Sequence, residues 1–119
     1  GGIESDPPCR RDFAIEADPG LLEIVLDNLL GHAEAYVPAG GIVSLLASAD
    51  ALEVRNAAPA LHADDLANLG RRFWRKDAQG AGHAGLGLAL AAAAAKALRM
   101  TLTYELRDGV LHAALRWNV

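Results

Sequence analysis

The chain has 119 residues, 52% of them apolar, with 11 basic and 15 acidic side chains and a formal net charge of -4. At this size roughly two thirds of the unfolded surface is buried around one core, which excludes a two-domain enzyme, and the mildly acidic balance argues against nucleic-acid binding by bulk charge, because phosphate binders gather Lys and Arg on one face. A single cysteine, Cys9, excludes a disulfide framework or a zinc site of paired thiolates and points to a reducing compartment.

Residues 1–12 carry two prolines, mixed charge and no period, and read as an arm or linker ahead of a domain over 13–119. Phe13 to Ala17 is a short strand candidate. Asp18-Pro19 then supplies an N-cap followed by proline at the first helical position. Leu22, Val25, Leu26, Leu29 and Ala33 recur at helical spacing, so a helix with one apolar face is expected until Val37-Pro38 and Gly40-Gly41 stop it. Ile42–Ala47 and Leu52–Arg55 read as two strands of a hairpin turning at Ser48-Ala49-Asp50. Asn56 to Ala60 is turn-like. His62 to Leu69 reads as a short helix with Asp64 and Asp65 in its first turn, where carboxylates favour the helix dipole, and Gly70 ends it. Residues 71–83 combine four basic side chains, two aromatics and small residues without period, which reads as a long mobile loop, of a length that in compact domains is usually functional or disordered.

Gly85 to Leu98 is an alanine-rich helix. The most apolar run, Ala84 to Leu98, is interrupted by Lys96 and falls short of the about twenty strongly apolar residues a bilayer span needs. No basic stretch leads into an apolar one at the start, so no signal peptide is expected. Thr101–Leu106 and Val110–Trp117 are strands joined by Asp108-Gly109, a strong two-residue hairpin signal. The order of elements implies an α+β fold, a mixed and mostly antiparallel sheet covered on one face by helices.

Two features carry chemistry. On the long helix, Asn28 and His32 lie one turn apart beside the apolar face; the spacing alone fits a site and a solvent-facing stripe equally. At the second long helix, Gly85-Leu86-Gly87-Leu88 follows Gly80, Gly82 and His83. Glycines at a helix start let a ligand reach the first unpaired N-H groups, where the dipole favours a phosphate, and close helix packing is the competing explanation. Arg71, Arg72, Arg75 and Lys76 beside it have the sign a phosphate needs.

In this order the pieces resemble a known family. A helix with Asn28-Leu29-Leu30 and Ala33-x-x-Tyr36, a strand ending in Val54-x-Asn56-x-x-Pro59-x-Leu61, then Arg72-Phe73-Trp74-Arg75, then Gly85-Leu86-Gly87-Leu88, is similar to the catalytic and ATP-binding domain of bacterial sensor histidine kinases, from about Phe13 to Trp117. The resemblance implies the Bergerat-type two-layer α/β sandwich shared with gyrase, Hsp90 and MutL-type ATPases. It implies ATP and Mg2+ as cofactors. Nucleotide contacts then fall on Asn28, His32, Tyr36, Asn56, Ala58, Arg72, Arg75, Lys76, Gly85, Leu86, Gly87 and Leu88, and metal contacts on Asn28 and His32. Asn28 matches the first asparagine of the N-box and takes the catalytic place near the triphosphate; related ATPases have a glutamate there to activate water, a role an amide cannot fill, so phosphoryl transfer is expected over hydrolysis. Residues 71–84 become the lid.

This sequence departs from the family pattern at several positions. His32 stands for the second N-box asparagine, whose oxygen holds Mg2+ in the family, and Asn56-Ala57-Ala58-Pro59-Ala60 stands for Asp-x-Gly-x-Gly, so the amide of Asn56 meets adenine without the charge of a carboxylate. Ala35 replaces a frequent lysine and Gly70 the first phenylalanine of the F-box. Lowered nucleotide affinity follows, and a kinase-like docking or regulatory module without productive nucleotide binding is the rival reading. The resemblance also implies partners: a helical dimerisation domain of the same protein bearing the phospho-acceptor histidine and, indirectly, a response regulator. It implies a cytoplasmic place in a membrane-anchored sensor, with no membrane or nucleic-acid contact by this domain. His62 and His112 read as ordinary surface or strand histidines, since no second ligand stands at metal spacing, and Tyr104 and Trp117 as core or sheet residues, while His83 fits a phosphate contact and a solvated lid residue equally.

Overall fold

A computed structural model describes residues 3–5, 17–71 and 87–117. Helix α1 (Pro19–Tyr36) starts where the sequence places it. The Asp18 carboxylate accepts from the N-H groups of Gly20 at 2.8 Å and Leu21 at 3.1 Å, satisfying two donors that the first turn leaves without partners. Its end is equally local: Val37 is extended, as a residue before proline must be, and its N-H closes the last turn on the Ala33 carbonyl at 2.9 Å.

Strands β2 (Val43–Ala47) and β3 (Ala51–Ala57) form the expected hairpin, and β4 (Thr101–Arg107) and β5 (Val110–Arg116) form the second. The turn of the second hairpin places Asp108 at φ 51° and Gly109 at φ 77°, the two left-handed residues whose twist matches paired strands. Strand β5 inserts between β3 and β4, so the sheet runs β1-β2-β3-β5-β4. Strand β1 (Ile3–Ser5) pairs parallel to β2, Ile3 opposite Val43. Part of the segment read as an arm therefore extends the sheet. The strand candidate at 13–17 lies outside the described residues except for Ala17, which precedes the helix cap and belongs to no strand.

The stretch read as a turn from Asn56 is shorter than expected. Asn56 and Ala57 continue β3, because Asn56 pairs with both Val43 and Leu111 and Ala57 with Val110, and the chain turns only at Pro59-Ala60. The short helix is a 3₁₀ segment, Ala63–Asn68, opened by the Asp65 carboxylate accepting the His62 N-H at 2.9 Å. Helix α2 (Gly87–Ala97) covers the sheet beside α1.

Alternation sorts the sheet into two faces. Val43, Val54, Leu111, Ala113 and Leu115 join Val25, Leu29 and Ala33 of α1 and Leu88, Ala91, Ala94 and Ala95 of α2 in one core. The alanines of α2 let the two helices approach closely, while the fully buried Val25, Val54, Leu111 and Leu115 supply the bulk, each stabilising by about 1.5–3 kcal/mol on burial. The opposite face carries Glu53, Arg55, His112, Glu105 and Arg107. The result is the two-layer sandwich expected from the element order. No helix among the described residues is long and apolar enough to cross a membrane.

Candidate functional site

The first two motifs meet where α1 passes the start of α2. Asn28, half-buried, donates through Nδ2 to the carbonyl of Ile24 one turn earlier, at 2.8 Å. That bond fixes the amide and directs its oxygen at α2: a Cβ built on Gly87 would lie 3.1 Å from Asn28 Oδ1 and 3.9 Å from its Cγ. Only glycine at 87 leaves the approach open, so the second glycine of the Gly-Leu-Gly-Leu run has a packing reason and a positioning reason together. Leu88, the next residue, turns its side chain into the core at 8% exposure. A ligand would meet its backbone rather than its side chain.

Gly70 closes the third side. Its φ of 86° is one that side chains rarely adopt, and a Cβ there would stand 3.9 Å from the Leu88 carbonyl oxygen. The chain leaving the 3₁₀ segment thus passes beside the first turn of α2. Arg71 follows, its guanidinium donating to Asn68 Oδ1 at 2.9 Å. Arg72, Arg75, Lys76, Gly85 and Leu86, named above as phosphate contacts, lie outside the described residues. No acidic side chain stands in the first turn of α2, where one would oppose an anion at the positive helix end.

His32 lies one turn after Asn28 and its ring stacks on Tyr36, centroids 4.6 Å apart at a 32° tilt. Both are half-buried, and Tyr36 packs against the core. Asn56 sits on the helix-facing side of β3, 3% exposed, with Nδ2 donating to its neighbour Ala57's carbonyl at 3.1 Å. Ala58 is wholly buried, and its N-H donates to the Gly109 carbonyl at 2.8 Å. The methyl of Ala58 belongs to the core, occupying space that a glycine would leave clear.

The donor set on α1 does not fit a protein-held Mg2+. That ion takes oxygens in near-ideal octahedral geometry, and this stripe offers one amide oxygen and one imidazole. Among the described residues no group of three or more His, Cys, Asp or Glu could hold a metal.

Among the described residues, a titratable cluster lies elsewhere. On the outer face of the sheet Glu53 Oε1 accepts from Arg55 Nε and meets His112 Nδ1, both at 2.7 Å. Burial alone would raise the Glu53 carboxyl, but the Arg55 and His112 hydrogen bonds and charges outweigh it and hold the group below its ordinary range. His112 is a strand histidine engaged in this row, as its isolation in sequence implied. On the inner face, burial pushes the Tyr104 phenol up to about 12, and its buried hydroxyl finds no hydrogen-bond partner among the described residues. Sequence reasoning missed Ile24, whose carbonyl orients Asn28, and the contact of Gly70 with Leu88; the i to i-4 spacing was the available signal for the first, and none existed for the second.

The chain has relatives by sequence and by fold. Residues 17–112 match the family model described as histidine kinase-, DNA gyrase B-, and HSP90-like ATPase. The sensor protein QseC of Salmonella typhi is 32% identical over 108 residues, 90% of this chain and 24% of that protein. QseC of Escherichia coli K12 is 38% identical over 68 residues, 57% of this chain and 15% of that protein. The chain thus spans about a quarter or less of the curated relatives it matches. Among solved structures, the nucleotide-free catalytic domain of histidine kinase ThkA superposes with a TM-score of 0.70 at 22% identity, over 96% of this chain and 76% of that one. The cytoplasmic segment of histidine kinase QseC gives 0.60 at 22%, over 98% of this chain and 62% of that one. These two establish the shared fold. With the family model covering most of its length and sensor kinases as its curated relatives, the chain belongs to the histidine kinase-, DNA gyrase B- and HSP90-like ATPase family.

Proposed function

We propose that this chain is the ATP-binding catalytic domain of a sensor histidine kinase, and that the groove between α1 and the start of α2 holds the triphosphate. The observation that carries this reading is the pairing of Asn28 with Gly87: an oriented amide oxygen faces a helix N-terminus kept open by glycine. The first N-H groups of α2 meet phosphate oxygens there and the helix dipole favours their charge. Arg72, Arg75 and Lys76 add cations, and Gly85 and Leu86 add backbone. Asn56 accepts from the 6-amino group of adenine at the floor of the same layer, and Tyr36 flanks the nucleotide.

The reaction is phosphoryl transfer. The bond from the γ-phosphorus to the bridging oxygen of ADP breaks, and a bond forms to an imidazole nitrogen of a histidine on a separate helical dimerisation domain, which releases its proton to solvent. Positioning and charge neutralisation supply the acceleration. The Asn28 amide orients and does not take up a proton, so water is not activated in competition. A response regulator then receives the phosphoryl group, and the domain works on the cytoplasmic side of a membrane-anchored sensor. The test is a calorimetric titration with a non-hydrolysable ATP analogue: saturable one-to-one binding supports the reading, and absence of heat at millimolar nucleotide removes it.

A further inference from the structure

Resting on that reading of the groove, we infer that Asn56 opens the purine pocket to 6-oxo nucleotides, of the inosine and guanosine type, alongside ATP. Asn56 is the one buried polar side chain among the described residues, 3% exposed and paired in register with the core residue Val43. Buried polar groups are almost always hydrogen-bonded. The one hydrogen bond this side chain makes among the described residues runs from Nδ2 to the adjoining Ala57 carbonyl, at 3.1 Å on the long side for such a pair. Its oxygen is left for a ligand to satisfy, and the purine's 6-position is what the reading of the groove places there.

An amide offers that position more than a carboxylate does. It carries two N-H donors beside its acceptor oxygen, whereas an ionised carboxylate only accepts. Adenine presents a donor at its 6-position and a 6-oxo purine presents an acceptor. Against a carboxylate the 6-oxo group would leave two buried acceptors facing each other, the situation in which a polar site rejects an analogue by large factors. Asn56 escapes it by half a turn of its terminal amide, a torsion with two broad wells, which brings Nδ2 to the 6-oxygen. The turn gives up the single bond to Ala57 and sets Oδ1 towards that carbonyl. Adenine therefore stays preferred, by about the worth of one neutral hydrogen bond.

Calorimetric titrations with three non-hydrolysable triphosphates test this: those of adenosine, of inosine, and of purine riboside, which carries only hydrogen at the 6-position. Inosine is the cleaner 6-oxo probe because guanosine adds a 2-amino group. The expected result is that the inosine nucleotide binds within about tenfold of the adenosine one, a gap of about 1.4 kcal/mol, and that both bind more tightly than the purine riboside nucleotide. A wider gap, or inosine binding no better than purine riboside, overturns the inference without need of a variant. In Asn56→Asp the preference for adenosine over inosine should widen to about a hundredfold or more, as adenosine binding tightens and inosine binding weakens. An unchanged preference in a folded Asn56→Asp protein overturns the assignment to Asn56. No binding of any of the three nucleotides would instead overturn the reading of the groove itself, and the inference with it.

Discussion

The side-chain oxygen of Asn28 lies 3.1 Å from where a Cβ on Gly87 would stand. A methyl there is tighter than ordinary contact, and Asn28 is poorly able to yield because its amide nitrogen is bound to the Ile24 carbonyl. Gly87→Ala is therefore expected to leave the fold intact, since alanine favours helix over glycine by about 0.5–1 kcal/mol, while turning the Asn28 amide and weakening nucleotide binding. Gly87→Val should abolish binding. Circular dichroism checks the fold and calorimetry the affinity.

Asn56 separates affinity from stability. Asn56→Asp restores a charged acceptor towards adenine, and charge-assisted hydrogen bonds are worth about 1.5–3 kcal/mol against about 0.5–1.5 for neutral ones, so ATP should bind about tenfold more tightly. The same carboxylate at 3% exposure is poorly solvated. The nucleotide-free variant should therefore melt at lower temperature than the parent, and added nucleotide should narrow the difference.

Tyr104 is a reserve of stability. Its buried hydroxyl has no partner among the described residues, and a buried unsatisfied group costs about 1–3 kcal/mol. Tyr104→Phe should be neutral or stabilising by up to about 1 kcal/mol near neutral pH. Because burial raises the folded pKa from 10.0 to about 12, the parent loses stability as pH rises from the unfolded value through the folded one. Denaturation curves across that range should show the loss in the parent, diminished in Tyr104→Phe.

Glu53 sets part of the acid limit. Its folded pKa lies below the ordinary 4.5 because Arg55 and His112 outweigh its burial. The stabilisation is present above the unfolded value and is lost as pH falls through the folded one. Glu53→Gln should flatten that part of the stability profile below about pH 4.5, measured by urea denaturation at stepped pH. Nucleotide affinity at neutral pH should be unchanged, because Glu53 is on the sheet face away from the helices.

Much of this fold was legible because its signals are local. Asp18-Pro19 and Val37-Pro38 bound α1, and Asp108-Gly109 fixes the second hairpin through two positive φ angles. What the sequence concealed depends on distant partners. Asn56 and Ala57 look like turn residues, yet Val43, Leu111 and Val110 supply ladder partners that carry β3 through them. Residues 3–5 look like an arm, and only β2 beside them makes a strand. For the site, the sequence held the residue types at Asn28 and Gly87 but not their approach, which arises from the packing of α1 on α2. The contacts assigned to Arg72, Arg75, Lys76, Gly85 and Leu86 rest on the motif alone.

The central claim is the location of the nucleotide, and the most direct measurement is a two-dimensional 15N-1H spectrum of the chain titrated with a non-hydrolysable ATP analogue. The account predicts saturable shifts of the backbone amides of Gly87 and Leu88 together with the side-chain amides of Asn28 and Asn56, while the amides of Glu53, His112 and Glu105 on the opposite sheet face stay in place. Shifts centred on that outer face, with Gly87 and Asn28 unmoved, would contradict it.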